Sequence, residues 1–252
     1  YKMTGTNNAP ASTPFRSDVL YGTSDATFTP SDKKQNPTGY AYKEAKNASG
    51  TTITSAKIAP NGTTEVNLYY NQNYVTITYN SNGATTRKFK GTTYDETNFQ
   101  TQSKQKIYYD NLVNSGLPDF HYDGFINLSK TGYQTTGNWY KGSVKHNVTD
   151  PITGKSIAEA FGLNINNANA QLTLYAEWKT VNYSIAYNLD GGIQQVGAPT
   201  LYNIESPNIQ LPTTPTKEKY KFATSFNDNN VIWDGLLNLY ASFGSIIELI
   251  SL

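Results

Sequence analysis

Apolar and polar positions alternate with a period of two along much of this chain, as in NLYYNQ (67–72), NYVTITYN (73–80), TLYAEW (173–178) and NYSIAYN (182–188). That spacing sends successive side chains to opposite faces of an extended strand. Strands are predicted over residues 26–29, 51–58, 64–70, 74–79, 172–178 and 183–188, where β-branched and aromatic residues concentrate. Asn61-Gly62 and Asn82-Gly83 supply turn residues that tolerate positive φ. Helix is scarce. SIAEAF (156–161), entered past Gly154 and ended by Gly162, places Ile157, Ala160 and Phe161 on one face, and a second short helix is predicted over 109–115. One short helix on a small mixed sheet is the α+β pattern, so the fold class expected is mostly β, α+β.

The strand patterns also repeat. NLYYNQ, TLYAEW and NLYASF (238–243) share a Leu-Tyr core and read as the last strand of a module. NYVTITYNSNGA (73–84) and NYSIAYNLDGG (182–192) follow the first two and read as opening strands that end in Asn-Gly or Asp-Gly turns. SKTGYQTTGNWY (129–140) and PTKEKYKFATSF (215–226) place Tyr133 against Tyr220 and Trp139 against Phe226 at equal spacing. The boundaries expected are 1–71, 72–180 and 181–245, followed by an apolar tail, 246–252. No long Pro/Gly/Ser linker separates these modules, so an elongated, semi-rigid arrangement is expected.

Composition narrows the function classes. Across 252 residues, 20 Lys and Arg balance 19 Asp and Glu, which leaves no basic excess to displace counterions from a polyphosphate, and no nucleic-acid partner is expected. No window approaches the ~20 apolar residues of a bilayer helix, and YKMTGTNNAP lacks the order of a signal peptide; a fragment of something longer is expected. Zero Cys removes disulfides, thiolate metal sites and Cys nucleophiles together. Leu, Ile, Val and Phe make up only roughly a fifth of the chain. The 20 Tyr and a net charge of +1 argue against disorder, and a folded, Tyr-rich, polar-surfaced chain is expected.

NYSIAYNLDGG, LPTTPTKEKYKF and LNLYASF together resemble the internalin B-repeat, also called the Listeria–Bacteroides repeat, and LSKTGYQTTGNWY with LTLYAEW repeats that pattern around an insertion carrying SIAEAF. Residues 1–71, ending ITSAKIAPNGTTEVNLYYNQNY, resemble the mucin-binding-protein-type module that often precedes such repeats. The third module departs from the pattern, with Lys219 where Gly is usual and Phe226 and Phe243 where Trp is usual. The resemblance implies tandem β-grasp, ubiquitin-like modules and a secreted or wall-attached location on a bacterial cell surface. It also implies a role as stalk or ligand-contacting repeats of an adhesin, with no catalytic residues.

The chemistry-bearing residues point the same way. The two His are His121, flanked by Asp119 and Asp123 in PDFHYDGF, and His146 in KGSVKHNVTD. Strand alternation puts both Asp on the face of His121, and a surface strand or loop is expected there; His146 is expected in a loop. HExxH, a phosphate-binding Gly loop, GxSxG and the EF-hand spacing are absent from the sequence, and no cofactor or metal is expected. Asp190-Gly191-Gly192 and Asp228 to Asn230 read as turns rather than Ca²⁺ ligands. Lys57, near Glu65 and Asn67, could in principle form an autocatalytic amide cross-link, but a solvated Lys is the better reading. The Asn-x-Ser/Thr triplets at Asn47, Asn61, Asn127, Asn147 and Asn182 read as polar sequence.

The aromatics carry the remaining possibility. In Tyr69-Tyr70 and Tyr108-Tyr109 alternation turns one ring of each pair outward, and Tyr70, Tyr108 and Tyr109 are the candidate ligand contacts. Trp139 and Trp178 are expected in the core. The expected function is a non-enzymatic spacer of a bacterial cell-surface adhesin, monomeric as a fragment. The alternative is an adhesive module in which exposed Tyr or a sheet edge contacts a host glycan, mucin or receptor protein.

Overall fold

The computed structural model describes residues 2–3, 13–118, 125–189, 191–209, 216, 220–223, 237–240 and 242–245. It is mostly β, with several small sheets and two short α-helices among the described residues. The chain divides into two compact units, Tyr1–Ser129 with Thr135–Glu177, and Lys130–Gln134 with Trp178–Leu252.

The first unit opens with β1 (Lys2–Met3), β2 (Thr27–Phe28), β3 (Tyr40–Asn47), β4 (Thr52–Ile53), β5 (Ala56–Lys57) and β6 (Val66–Gln72). β1, β6, β3 and β4 form one sheet in that order, and β2 pairs with β5 as a separate ribbon. β3 runs antiparallel to β6, with a register shift between Tyr42 and Glu44. Leu68, Tyr70 and Ala45 form the core of this sheet, flanked by Tyr40, Tyr42, Ile53 and Val66. β6 buries Leu68, Tyr70 and Gln72, the period-two face of a half-buried strand.

A single residue, Asn73, separates β6 from the next strand. It is buried, its N–H donates to Gly39 O at 2.8 Å, its Nδ2 to Ile165 O at 2.8 Å, and its carbonyl accepts from Tyr109 N at 3.0 Å. A buried amide satisfied on both sides is costly to replace, which pins the two sheets at this point.

There follow β7 (Tyr74–Asn80), β8 (Thr86–Phe89), β9 (Thr92–Thr93), α1 (Glu96–Gln102), β10 (Lys104–Tyr108), β11 (Ile126–Ser129), β12 (Tyr133–Lys141), β13 (Val144–Asn147), α2 (Gly154–Ala160) and β14 (Asn169–Thr180). Five of these strands make one sheet in the order β10-β7-β14-β12-β13; β11, β8 and β9 make another. β7 and β14 lie parallel, β10 antiparallel to β7, and β13 antiparallel to β12. Val75, Ile77, Tyr79, Ile107, Leu172, Leu174 and Trp139 are buried on one face of the five-stranded sheet together with Phe99 of α1 and Ile157 of α2. Each such aliphatic side chain contributes about 1.5–3 kcal/mol by leaving water.

Local chemistry fixes both helices. Asp95 caps α1 by accepting from Asn98 N at 2.8 Å, and Phe99 is its one buried residue. α2 begins with a capping box between Thr153 and Ser156. Gly154 lies so close to β10 that a Cβ would sit 2.6 Å from Tyr108 O and 2.7 Å from Ile107 O, so only glycine lets the helix back this strand.

The second unit contains β15 (Tyr183–Asn188), β16 (Leu201–Tyr202), β17 (Tyr220–Ala223), β18 (Leu237–Tyr240) and β19 (Ser242–Ser245). β15 is flanked by antiparallel β16 and parallel β18, and β17 pairs with β19. Ile204 packs against Gly132, and the Tyr133 hydroxyl donates to Glu205 Oε1 at 2.7 Å.

Several sequence expectations need correction. Residues 109–115 are not helical: Val113 forms an antiparallel bridge with Ile152, its N–H donating at 2.7 Å and its carbonyl accepting at 3.1 Å, which removes both groups from any helix ladder. The strand expected over 51–58 is two, because β4 pairs with β3 and β5 with β2. The helix expected over 156–161 begins earlier, at Gly154. Trp139 is fully buried, whereas Trp178 is half-buried. β3, with Lys, Glu and Ala in its middle, and α1, with a single apolar residue, were not foreseen. The expected features at Asp190, Phe226, Asp228 to Asn230 and 246–252 lie outside the described residues.

Candidate functional site

The three candidate Tyr separate in the structure. Tyr70 is fully buried: it packs edge-on against Tyr42 at 5.8 Å and Phe15 at 6.0 Å, and its hydroxyl accepts from Gln35 N at 2.8 Å. It is a core residue, out of reach of a ligand. The outward member of its pair is Tyr69, half-buried, with Lys46 Nζ 5.4 Å from its ring centre.

Tyr108 is half-buried and stands opposite Tyr74 in the antiparallel register of β10 and β7, their rings 5.4 Å apart and inclined by 61°. Lys106 Nζ lies 4.8 Å from the Tyr74 ring centre. Lys104 and Lys106 alternate with buried Ile107 along the strand, so these cations and Tyr108 share the face away from the core. Farther across the same sheet, Tyr140 and Tyr175 approach to 5.9 Å.

Tyr109 lies just past β10. Its ring packs against Gly39, where φ is +79° and an added Cβ would lie 2.2 Å from ring carbon, and it meets Tyr40 edge-on at 5.8 Å. The Tyr40 hydroxyl donates to Asp110. Burial, then the hydrogen bond and charge of Asp110, push the Tyr40 phenol far above its ordinary value, so it remains a neutral donor. No local pattern marks Tyr40 and Asp110 as partners, because the contact spans 70 positions.

Glu177 is the most strongly perturbed carboxylate among the described residues. Burial raises its pKa, but hydrogen bonds from Lys145, Thr136 and Asn138 outweigh that and hold it down to about 2. Asn138 Nδ2 is 2.8 Å away, and Lys145 closes an ion pair with Glu177. A carboxylate held this firmly in the ionised state joins β12, β13 and β14; it is poorly suited to shuttle protons near neutrality. Glu96 is similar: burial raises its pKa, while Ser81, Arg87 and Gln100 lower it further than burial lifts it.

His121, with Asp119 and Asp123, lies outside the described residues. His146, expected in a loop, instead lies in β13 opposite Trp139 and is half-buried, its Nδ1 2.8 Å from Asn147 O. Lys57 is exposed, while Glu65 and Asn67 bond to each other at 2.8 Å. Among the described residues there is no group of three His, Cys, Asp or Glu able to hold a metal ion, and no helix long and apolar enough to cross a membrane. Three of the Asn-x-Ser/Thr triplets are turns in which the Asn Oδ1 accepts hydrogen bonds: Asn47 from Thr51 N and Ser49 Oγ, Asn61 from Thr63 N and Oγ1, and Asn147 from Thr149 N and Oγ1. Their spacing is explained by turn geometry.

No family model matches the chain, and no curated protein matches it.

Proposed function

We propose that the chain is a non-enzymatic spacer region of a bacterial cell-surface adhesin, built of tandem β-grasp-like modules and supporting attachment to host or matrix. One observation carries this reading. The Leu-Tyr strands that echo in the sequence take parallel partners in one common register: Tyr79 faces Leu174 and Asn80 faces Tyr175 in the first unit, while Tyr187 faces Leu239 and Asn188 faces Tyr240 in the second. A parallel pair made by an early and a late strand, repeated at the same register, supports a serial array of like modules. The cell-surface assignment rests on the internalin B-repeat resemblance of the same segments.

The elongated arrangement belongs to the same proposal, and solution scattering tests it. A radius of gyration near the ~18 Å of one globule of this length would overturn it. Binding to mucin and to a glycan array tests the spacer role; a spacer gives none.

A second reading, direct adhesion, is favoured by Tyr108 beside Tyr74 and Lys106 on the outward face of β10 and β7. Half-buried rings beside a cation on one sheet face suit sugar faces or a protein partner. Saturable glycan binding that is lost on Tyr108→Ala would establish it in place of the spacer.

A further inference from the structure

Asn-Gly occurs twice in the chain, at Asn61-Gly62 between β5 and β6 and at Asn82-Gly83 between β7 and β8. The pair is reactive, because a glycine nitrogen carries no neighbouring side chain to keep it from the asparagine amide carbon. The two amides are held in opposite ways. Asn61 is exposed; its Oδ1 accepts from Thr63 Oγ1 at 2.7 Å and from Thr63 N at 3.3 Å, and its Nδ2 has no hydrogen bond among the described residues. Two donors aimed at an oxygen that gains negative charge when its carbon is attacked stabilise the transition state, as an oxyanion hole does. Asn82 is half-buried, and it is Nδ2 that is engaged, donating to Ala176 O of β14 at 3.0 Å and to the Tyr140 hydroxyl at 3.2 Å. Its amide carbon reaches Gly83 N only when both bonds break, and each is worth about 0.5–1.5 kcal/mol.

Neither the donors nor the glycine is enough alone. Asn47 and Asn147 also accept paired hydrogen bonds on Oδ1, but Ala48 and Val148 follow them, and a side chain there crowds the attacking nitrogen. Among the described residues only Asn61 combines the paired donors with a following glycine. The turn also has room: no atom lies within 4 Å of where a Cβ of Gly62 would stand. The Gly62 N–H donates to Ala59 O at 3.1 Å, an exposed bond that water replaces at a cost of about 1 kcal/mol.

We propose that Asn61 is a self-modifying site, deamidated to aspartate and isoaspartate in the folded chain without an enzyme, while Asn82 is spared. The Gly62 nitrogen bonds to Asn61 Cγ, the Nδ2 amide leaves as ammonia with the proton that Gly62 gives up, and a succinimide ring closes. Water then opens the ring at either carbonyl. Each event adds one negative charge to the turn ahead of β6, and the isoaspartyl product also inserts one carbon into the backbone there. This inference is independent of the spacer reading, since it concerns the chemistry of one turn whatever the chain is attached to.

The test incubates the full chain in neutral buffer, native and in urea, and follows both asparagines by peptide mass spectrometry, with chromatography separating the isoaspartyl form. Expected in the native chain is conversion at Asn61 about tenfold or more faster than at Asn82, the scale of the two bonds that hold the latter. In urea the two sites convert at similar rates, because the turn and its partners are gone. Thr63→Val, at an exposed position, removes the Oγ1 donor and slows native conversion of Asn61 about fivefold, the scale of one hydrogen bond, without changing its rate in urea. Equal native rates at the two sites, no native conversion of Asn61, or an unaltered native rate in Thr63→Val would each overturn the proposal.

Discussion

The rings of Tyr79 and Trp139 lie 4.6 Å apart, tilted 51° to one another, and neither is exposed. Tyr79 comes from β7 and Trp139 from β12, on opposite sides of β14 in the five-stranded sheet. The Trp139 indole donates to Pro118 O at 2.8 Å and the Tyr79 hydroxyl to Gln105 Oε1 at 2.6 Å, so both polar handles are satisfied. Trp139→Ala is expected to cost about 3–5 kcal/mol, the range for emptying a large aromatic site. Chemical denaturation followed by near-UV circular dichroism checks this, and a loss under about 1 kcal/mol would show that the core does not depend on this pair.

The two members of the Tyr69-Tyr70 pair are expected to behave oppositely. Tyr70→Ala removes a fully buried ring and leaves Gln35 N without its acceptor, for a loss of about 3–5 kcal/mol. Tyr69→Ala, on the outward face, costs about 1 kcal/mol or less. Equal losses on denaturation would mean that the facing of β6 is wrong.

Glu177 makes stability depend on acid. Its carboxyl is held at about 2 in the folded chain against an ordinary 4.5, so the unfolded chain takes up the proton first. The stabilisation is complete above about pH 4.5 and is lost as pH falls toward 2. Glu177→Gln is expected to lower stability at pH 7 by about 1 kcal/mol and to flatten the decline between pH 5 and pH 2. Parallel acid profiles for the two proteins would show that Glu177 does not contribute.

Glycine substitutions separate steric from purely conformational cost. Gly62→Ala meets no atom within 4 Å, so at its φ of +69° it should lose about 1 kcal/mol from backbone strain alone. Gly39→Ala has a comparable φ but places its Cβ in the Tyr109 ring, so it should lose more and displace Tyr109. Thermal unfolding with the Tyr109 ring resonances as a local probe distinguishes the two; equal losses would mean that Tyr109 yields freely.

The sequence by itself determined the mostly β character, the strands around 64–70, 74–79, 172–178 and 183–188, and the one helix near SIAEAF, because strict alternation and flanking glycines are local signals. It also showed that one ring of Tyr69-Tyr70 faces out. Only the tertiary structure decided which one, since a one-residue slip in how β6 meets β3 exchanges the faces. β3 was invisible for a related reason: Lys, Glu and Ala have little preference for strands, and it is the antiparallel pairing with β6 that holds Tyr40–Asn47 extended. The Tyr40–Asp110 bond and the Glu177 cluster join residues far apart in the chain. No local pattern carries such distances, because they exist only once the sheets have fixed their registers.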